Sequence, residues 1–154
     1  MRMKFLCDVM LSRLGRWLRA AGYDTVIAEA GQADRELLKI SIREGRLFIS
    51  LDRKLLEHRD AENHIIILNS NKIAESIKEV TERLSIDWLH RPFSRCLLCN
   101  APLVSAGPGE MQHLPEDVRE SNSMVYYCAS CKQSFWQGSH VTRMRNKLAA
   151  WNRL

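Results

Sequence analysis

Apolar positions recur along this chain with two alternating periods. Met3–Cys7 is a short, mostly apolar run that predicts a buried strand, and Asp8 follows at its C-terminal end. From Met10 to Ala21 the apolar residues Met10, Leu11, Leu14, Trp17, Leu18 and Ala21 return near the 3.6-residue period of a helix, with Gly22 as its stop. Thr25–Ala28 predicts a second strand. Asp34 is placed to cap a helix that runs to Glu44 and ends at Gly45. Leu47–Ser50 is a third strand with Asp52 just beyond it, Lys54–His58 a short helical turn, and His64–Leu68 a fourth strand. Ile73, Ile77, Val80 and Leu84 mark one stripe of a further amphipathic helix.

Strand and helix alternate throughout residues 1–84, and the strands are too apolar to have a wet face. That pattern predicts an α/β fold, a parallel sheet covered by helices on both faces. Ser85–Arg95, punctuated by Pro92, reads as a hinge. Beyond it the pattern changes: Ser105–Ser123 is rich in Gly, Pro and polar residues and reads as loop. Val125–Tyr127 and Ser134–Trp136 read as strands. Val141, Met144, Leu148 and Trp151 form the apolar stripe of a closing helix, which Ser139 is placed to cap. The expected division is therefore 1–90 for the α/β domain and 91–154 for a smaller module with its C-terminal helix.

That smaller module holds the most specific chemical signal in the chain. Cys96-Leu-Leu-Cys99 and Cys128-Ala-Ser-Cys131 are two Cys-x-x-Cys knuckles separated by 28 residues. Together they supply the four thiolates of a closed tetrahedral Zn²⁺ site. Reduced, unmetallated thiols or a pair of redox motifs is the weaker alternative, because redox Cys-x-x-Cys motifs occur singly beside a strand–helix junction. With four ligands the site is full, so this zinc is expected to build structure. Cys7 reads as a small core residue.

Composition adds bounds. The chain has 154 residues, with 45% hydrophobic and 27% charged, the balance of a soluble globular protein. Met1–Cys7 is too short and too charged for a signal peptide, and no apolar run approaches membrane-spanning length. A cytoplasmic location with reduced cysteines is the expectation, and no membrane partner is expected. The net charge of +5 attracts polyanions without proving a nucleic-acid partner.

Chemistry other than zinc should lie at the C-terminal ends of the parallel strands. Asp8, Asp34 and Asp52 occupy such places. Clustered carboxylates repel unless a cation joins them, and Mg²⁺ or Mn²⁺ suits oxygen ligands. Such an ion activates water and stabilises the leaving oxygen of a phosphodiester. Taken singly, Asp34 is equally a cap and Asp52 a turn residue. Arg13 and Arg16 lie within two turns of Asp8 and either hold a substrate phosphate or form an ordinary solvated face with Arg19. Arg53 and Lys54 beside Asp52 invite the same two readings. His140 stands at the start of the closing helix, where it is a candidate contact for a substrate phosphate. Trp136 either stacks on a base or packs the small module.

The run from Asp34 through Gly45 to Asp52-Arg-Lys-Leu-Leu resembles the second half of PIN-domain nucleases, with its Ser/Thr-x-Asp turn. The start, Phe5-Leu-Cys-Asp8-Val-Met-Leu-Ser-Arg-Leu-Gly-Arg-Trp-Leu-Arg-Ala-Ala-Gly-Tyr-Asp24, is more particular. Together with the four cysteines and Phe135-Trp-Gln-Gly-Ser-His140, it resembles the Mut-seven C-terminal RNase domain family, a PIN-like domain followed by a zinc ribbon. The resemblance covers nearly the whole chain. It implies a metal-dependent endoribonuclease, with Asp8, Asp34 and Asp52 as acidic ligands of catalytic Mg²⁺ or Mn²⁺ and the zinc ribbon assisting RNA binding. Many PIN nucleases carry a further acid on an intervening helix. Here only Asp24 and Glu29 lie between Asp8 and Asp34, and neither has that setting. The competing expectations are a non-catalytic RNA-binding protein and a zinc-ribbon adaptor for protein partners.

Overall fold

The computed structural model describes residues 2–121 and 123–154. Four parallel strands, β1 (Lys4–Cys7), β2 (Asp24–Ile27), β3 (Leu47–Ser50) and β4 (Ile65–Ile67), form a sheet in the order β2-β1-β3-β4. β1 aligns Leu6 with Val26 on one side and with Phe48 on the other. Successive side chains point to opposite faces of a strand, and the two cores follow that rule. Phe5, Cys7 and Ile49 pack beneath α1 (Ser12–Ala20) and α3 (Ile73–Leu84), with Leu14, Leu18, Ile77 and Val80. Leu6 and Phe48 point the other way, onto Leu37 of α2 (Asp34–Glu44) and Leu55. Helices therefore cover both faces, as the apolar strands require. Burial pushes the Cys7 thiol up to about 12, as befits a core residue rather than a nucleophile.

The chain enters α1 through a 3₁₀ turn, Val9–Leu11, so the helix starts two residues later than Met10. Gly45, at φ 64°, ends α2 in the left-handed conformation. Asp34 is not the cap of α2. Ala33 holds that position without a side-chain bond, and Asp34 is the first helical residue, its carboxylate favourably placed against the helix N-terminus.

Residues 85–95 are not a free hinge. Trp88 is fully buried and its indole N–H donates to Thr81 Oγ1 (2.8 Å). The backbone N–H groups of Arg91 and Phe93 donate to the carbonyls of Ala21 and Ala20, at 2.9 and 2.7 Å. The segment is sewn to the end of α1 because a buried tryptophan and two backbone bonds outweigh what one proline loosens.

The second module is a three-stranded antiparallel sheet, β5 (Val104–Ser105), β6 (Val125–Cys128) and β7 (Gln133–Trp136), in that order. The region expected as loop contains two short helices, α4 (Pro108–Met111) and α5 (Glu116–Glu120). Pro108 sits at the first helical position, where its missing N–H costs nothing. Leu114 and Val118 then bury against Val125 as a small separate core. The closing helix, α6 (Ser139–Trp151), is capped by Gly138 in an extended conformation rather than by Ser139. It returns to the first module: Leu148 is fully buried in the core of α1 and α3, and Trp151 meets the edges of Trp17 and Trp88. No helix among the described residues is long and apolar enough to cross a membrane.

Candidate metal centre and acidic cleft

The two knuckles fold alike. Each ends in a residue of positive φ, Asn100 at 74° and Lys132 at 55°, directly after its second cysteine. In each, the N–H of that residue donates back to the carbonyl of the first cysteine, Asn100 to Cys96 at 2.9 Å and Lys132 to Cys128 at 2.7 Å. This tight turn aims both sulfurs of a knuckle at one point. The four Sγ atoms lie within 4.8 Å of one another. Cys96 to Cys131 spans 3.9 Å and Cys99 to Cys128 3.4 Å. Sulfurs about 2.3 Å from a tetrahedral zinc stand roughly 3.8 Å apart, so the cluster fits zinc. The N–H of Ala101 pulls the Cys99 thiol down to about 7, toward the ionised form a metal requires.

Polar contacts dock this ribbon on the sheet. Arg19 is buried, and its guanidinium donates to the carbonyls of Thr25 (2.8 Å) and Leu97 (2.9 Å). It does not share the solvated face of Arg13 and Arg16, which are both exposed. Asn100 accepts from the N–H of Thr25 and donates to Asp24, closing the first bonds of edge strand β2. Asp24 in turn takes a 2.7 Å bond from Arg46. Burial alone would raise its carboxyl, but the bonds from Arg46 and Asn100 outweigh this and lower it. Asp24 is thus spent on docking, at the opposite end of the strands from Asp8.

Asp8 and Asp52 follow the two strands between which the sheet order reverses. The connections leaving β1 and β3 diverge to opposite sides, which opens a crevice at their C-terminal ends. Asp8 and Asp52 stand there, joined through Ser50. The buried Ser50 hydroxyl donates to Asp8 Oδ2 (2.9 Å) and accepts from the N–H of Asp52 (3.1 Å). Asp8 Oδ1 caps Val9 (2.7 Å), and Asp52 Oδ1 caps Lys54 (2.9 Å). Asp34 reaches in from the start of α2. Its carboxyl is raised, first by burial, then by the charge of Asp8 and by the neighbouring Asp52 carboxyl, with His58 pulling the other way. Asp34 feels the charges of Asp8 and Asp52, but the three carboxylates do not form a closed cage. Among the described residues only the four cysteines have ligand atoms all within 4.8 Å of one another.

The basic residues distribute unevenly. Arg53 is held by Asn69 (3.2 Å) beside the cleft, and Lys54 is exposed next to it. His140 is not part of this cleft; it lines a cavity between the ribbon and α6. Sequence reasoning did not assign a role to Ser50 or His58. The Ser-x-Asp turn was the available signal for Ser50, since a serine two residues before an acid can bond its backbone N–H. No local pattern pointed to His58.

Architecturally the protein is an α/β domain with a metal-binding ribbon docked on one edge. Over residues 3–148 the chain matches the family described as the Mut7-C RNAse domain, and it belongs to that family. A search of the curated proteins found no match. The family description points to a nuclease with RNA as its substrate.

Proposed function

We propose that the protein is a metal-dependent endoribonuclease of PIN-like type, with Asp8, Asp34 and Asp52 holding Mg²⁺ or Mn²⁺ and the zinc ribbon assisting RNA binding. The observation that carries this reading is the buried Ser50 hydroxyl tying Asp8 to the Asp52 turn at the strand ends, with Asp34 close enough to feel both charges. Three acids gathered in a protein of net charge +5 repel one another and RNA alike unless a cation is present. The donor set suits such an ion. All donors are hard oxygens, and a spacing looser than a closed cage suits Mg²⁺, which keeps several waters. When bound, the ion supplies an activated water and charge for the leaving oxygen. The chain's own residues do the rest. Ser50 orients Asp8 and the Asp52 backbone. Arg13 and Arg16 on the exposed face of α1, with Arg53 and Lys54, offer cations for the phosphate.

The test is cleavage of single-stranded RNA with and without Mn²⁺ or Mg²⁺, comparing the protein with Asp8→Asn. Cleavage should require the metal and be lost in the variant, while binding persists. Equal degradation by both proteins would assign the activity elsewhere. Binding without cutting by either would favour a non-catalytic RNA-binding role.

A further inference from the structure

A cavity of about 270 Å³ lies between the ribbon sheet and α6, away from the acids. Its walls are apolar, with four aromatic rings among aliphatic residues such as Leu97, Leu103 and Met144. Tyr126 and Phe135 stand directly opposite each other on β6 and β7 and both line it, and Phe93 and Trp136 complete the set. Its charge is of one sign. Arg95 and Arg145 line it beside the His140 imidazole, and no Asp or Glu does. The acids of this module lie elsewhere, at Glu110 in α4 and at Glu116, Asp117 and Glu120 in α5, whereas α6 carries Arg143, Arg145 and Lys147 and no acid.

Two further details set the cavity apart from an ordinary packing gap. Phe93 has φ 57°, a left-handed conformation costly for a bulky residue, and its N–H bond to Ala20 holds it there. That conformation accompanies a ring that lines the cavity, with the Arg145 guanidinium 5.1 Å from the ring centre. Arg95 and Leu103 also line an adjoining cavity that contains Arg2, Lys4 and Arg91, together with Asp24, whose carboxylate is already bonded by Arg46 and Asn100.

We propose that this cavity is a binding subsite for an unpaired nucleobase of single-stranded RNA. The base stacks on Tyr126 and Phe135, and the flanking phosphates lie against Arg145, Arg95 and His140. Aromatic faces accept any base, because every base has a π-face, while fixed cations without acids select a polyanion over an apolar peptide. The proposal deepens the nuclease reading and rests on it for the choice of RNA. It adds a site remote from the acids.

The experiment uses the zinc-loaded full chain carrying Asp8→Asn, without added Mg²⁺ or Mn²⁺, so that RNA is bound and not cut. Fluorescence anisotropy compares a labelled oligouridylate with an abasic oligonucleotide of equal length and charge. The abasic strand should bind about 5- to 150-fold more weakly, the loss expected for one stacked base. Tyr126→Leu combined with Phe135→Leu should bring oligouridylate down to the abasic level and leave abasic binding and zinc content unchanged. Equal affinity for the two oligonucleotides overturns the proposal, as does a zinc-loaded double variant that binds oligouridylate like its parent. If the double variant fails to hold zinc, the comparison of the two strands on the unsubstituted ribbon decides alone. Cleavage by the protein with Asp8 intact is measured separately. Absence of cleavage with the two binding contrasts present removes the nuclease reading and keeps the subsite.

Discussion

Replacing Ser50 by alanine tests whether the acidic cleft is a built site. Ser50 is fully buried at the end of β3, and its hydroxyl makes two bonds at once, donating to Asp8 and accepting from the N–H of Asp52. A hydrogen bond to a charged group contributes about 1.5–3 kcal/mol, and a neutral one about 1 kcal/mol. Asp8 is partly solvated, so water replaces some of what it loses and the lower end applies. The Asp52 N–H, just before the 3₁₀ turn Arg53–Glu57, loses its side-chain partner. Ser50→Ala should therefore destabilise the fold by roughly 2 kcal/mol, a fall in Tm of about 4–8 °C for a chain of this size. The methyl group fits without strain, so the loss reports the two bonds alone. The same change should weaken Mn²⁺ binding, because the Asp8 carboxylate and the Asp52 turn lose their common anchor. Thermal unfolding by circular dichroism and Mn²⁺ titration by calorimetry measure the two effects. An unchanged Tm would refute the bonding geometry. A lowered Tm with undiminished metal affinity would make Ser50 a structural serine and detach it from the cleft.

Asp34→Asn should stabilise the metal-free protein near neutral pH: a carboxyl raised on folding favours its protonated form, so the native chain loses stability as pH rises through that value. The gain should vanish in denaturation curves taken below the ordinary carboxyl range, and a variant less stable than its parent at pH 7 without metal would contradict it. Gly22→Ala should cost about 2–5 kcal/mol, because φ is 99° and a Cβ there would overlap the Arg91 carbonyl and lie 2.7 Å from its Cβ. Gly31→Ala, at φ 88° with no atom within 4 Å, is the control that carries only the conformational cost in urea unfolding. Elemental analysis should find one zinc per chain, and its removal should unfold β5–β7 with loss of their near-ultraviolet signal, since metal binding in so small a module is part of folding; freshly purified protein without zinc would refute the centre.

The sheet and its helices were legible because their apolar periods are strong: observed strand ends differ from the expected ones by about one residue. The knuckles were legible from spacing alone. What escaped is of two kinds. Met111, Leu114 and Val118 are too few to register as a helical stripe among glycines and prolines, so α4 and α5 read as loop. Arg19, Asp24 and Asn100 are polar residues that usually face water, yet here they bond across the joint between sheet and ribbon, with Arg46 holding Asp24 from the sheet side. Their partners lie as far as 78 residues away in sequence, and no local pattern encodes such pairs. The belt from Trp88 to Phe93 escaped for the same reason, its bonds running back to Ala20 and Ala21.

Those docking contacts bear on how the two proposed sites would work together. Asn100 meets β2 at its first residues, and Phe93 meets the last turn of α1, so the ribbon cavity belongs to the N-terminal edge of the sheet. Asp8 and Asp52 follow the opposite ends of β1 and β3. The four residues of β1 alone separate the two edges by about 13 Å. A nucleotide strand rises about 3.4 Å per phosphate when stacked, so a stacked chain covering that distance takes about four nucleotides, and an extended one fewer. An RNA too short to bridge them would engage one site at a time and gain nothing from the other. Selection of longer single strands would then arise from the placement of the ribbon, with no contact to base edges at the cleft required.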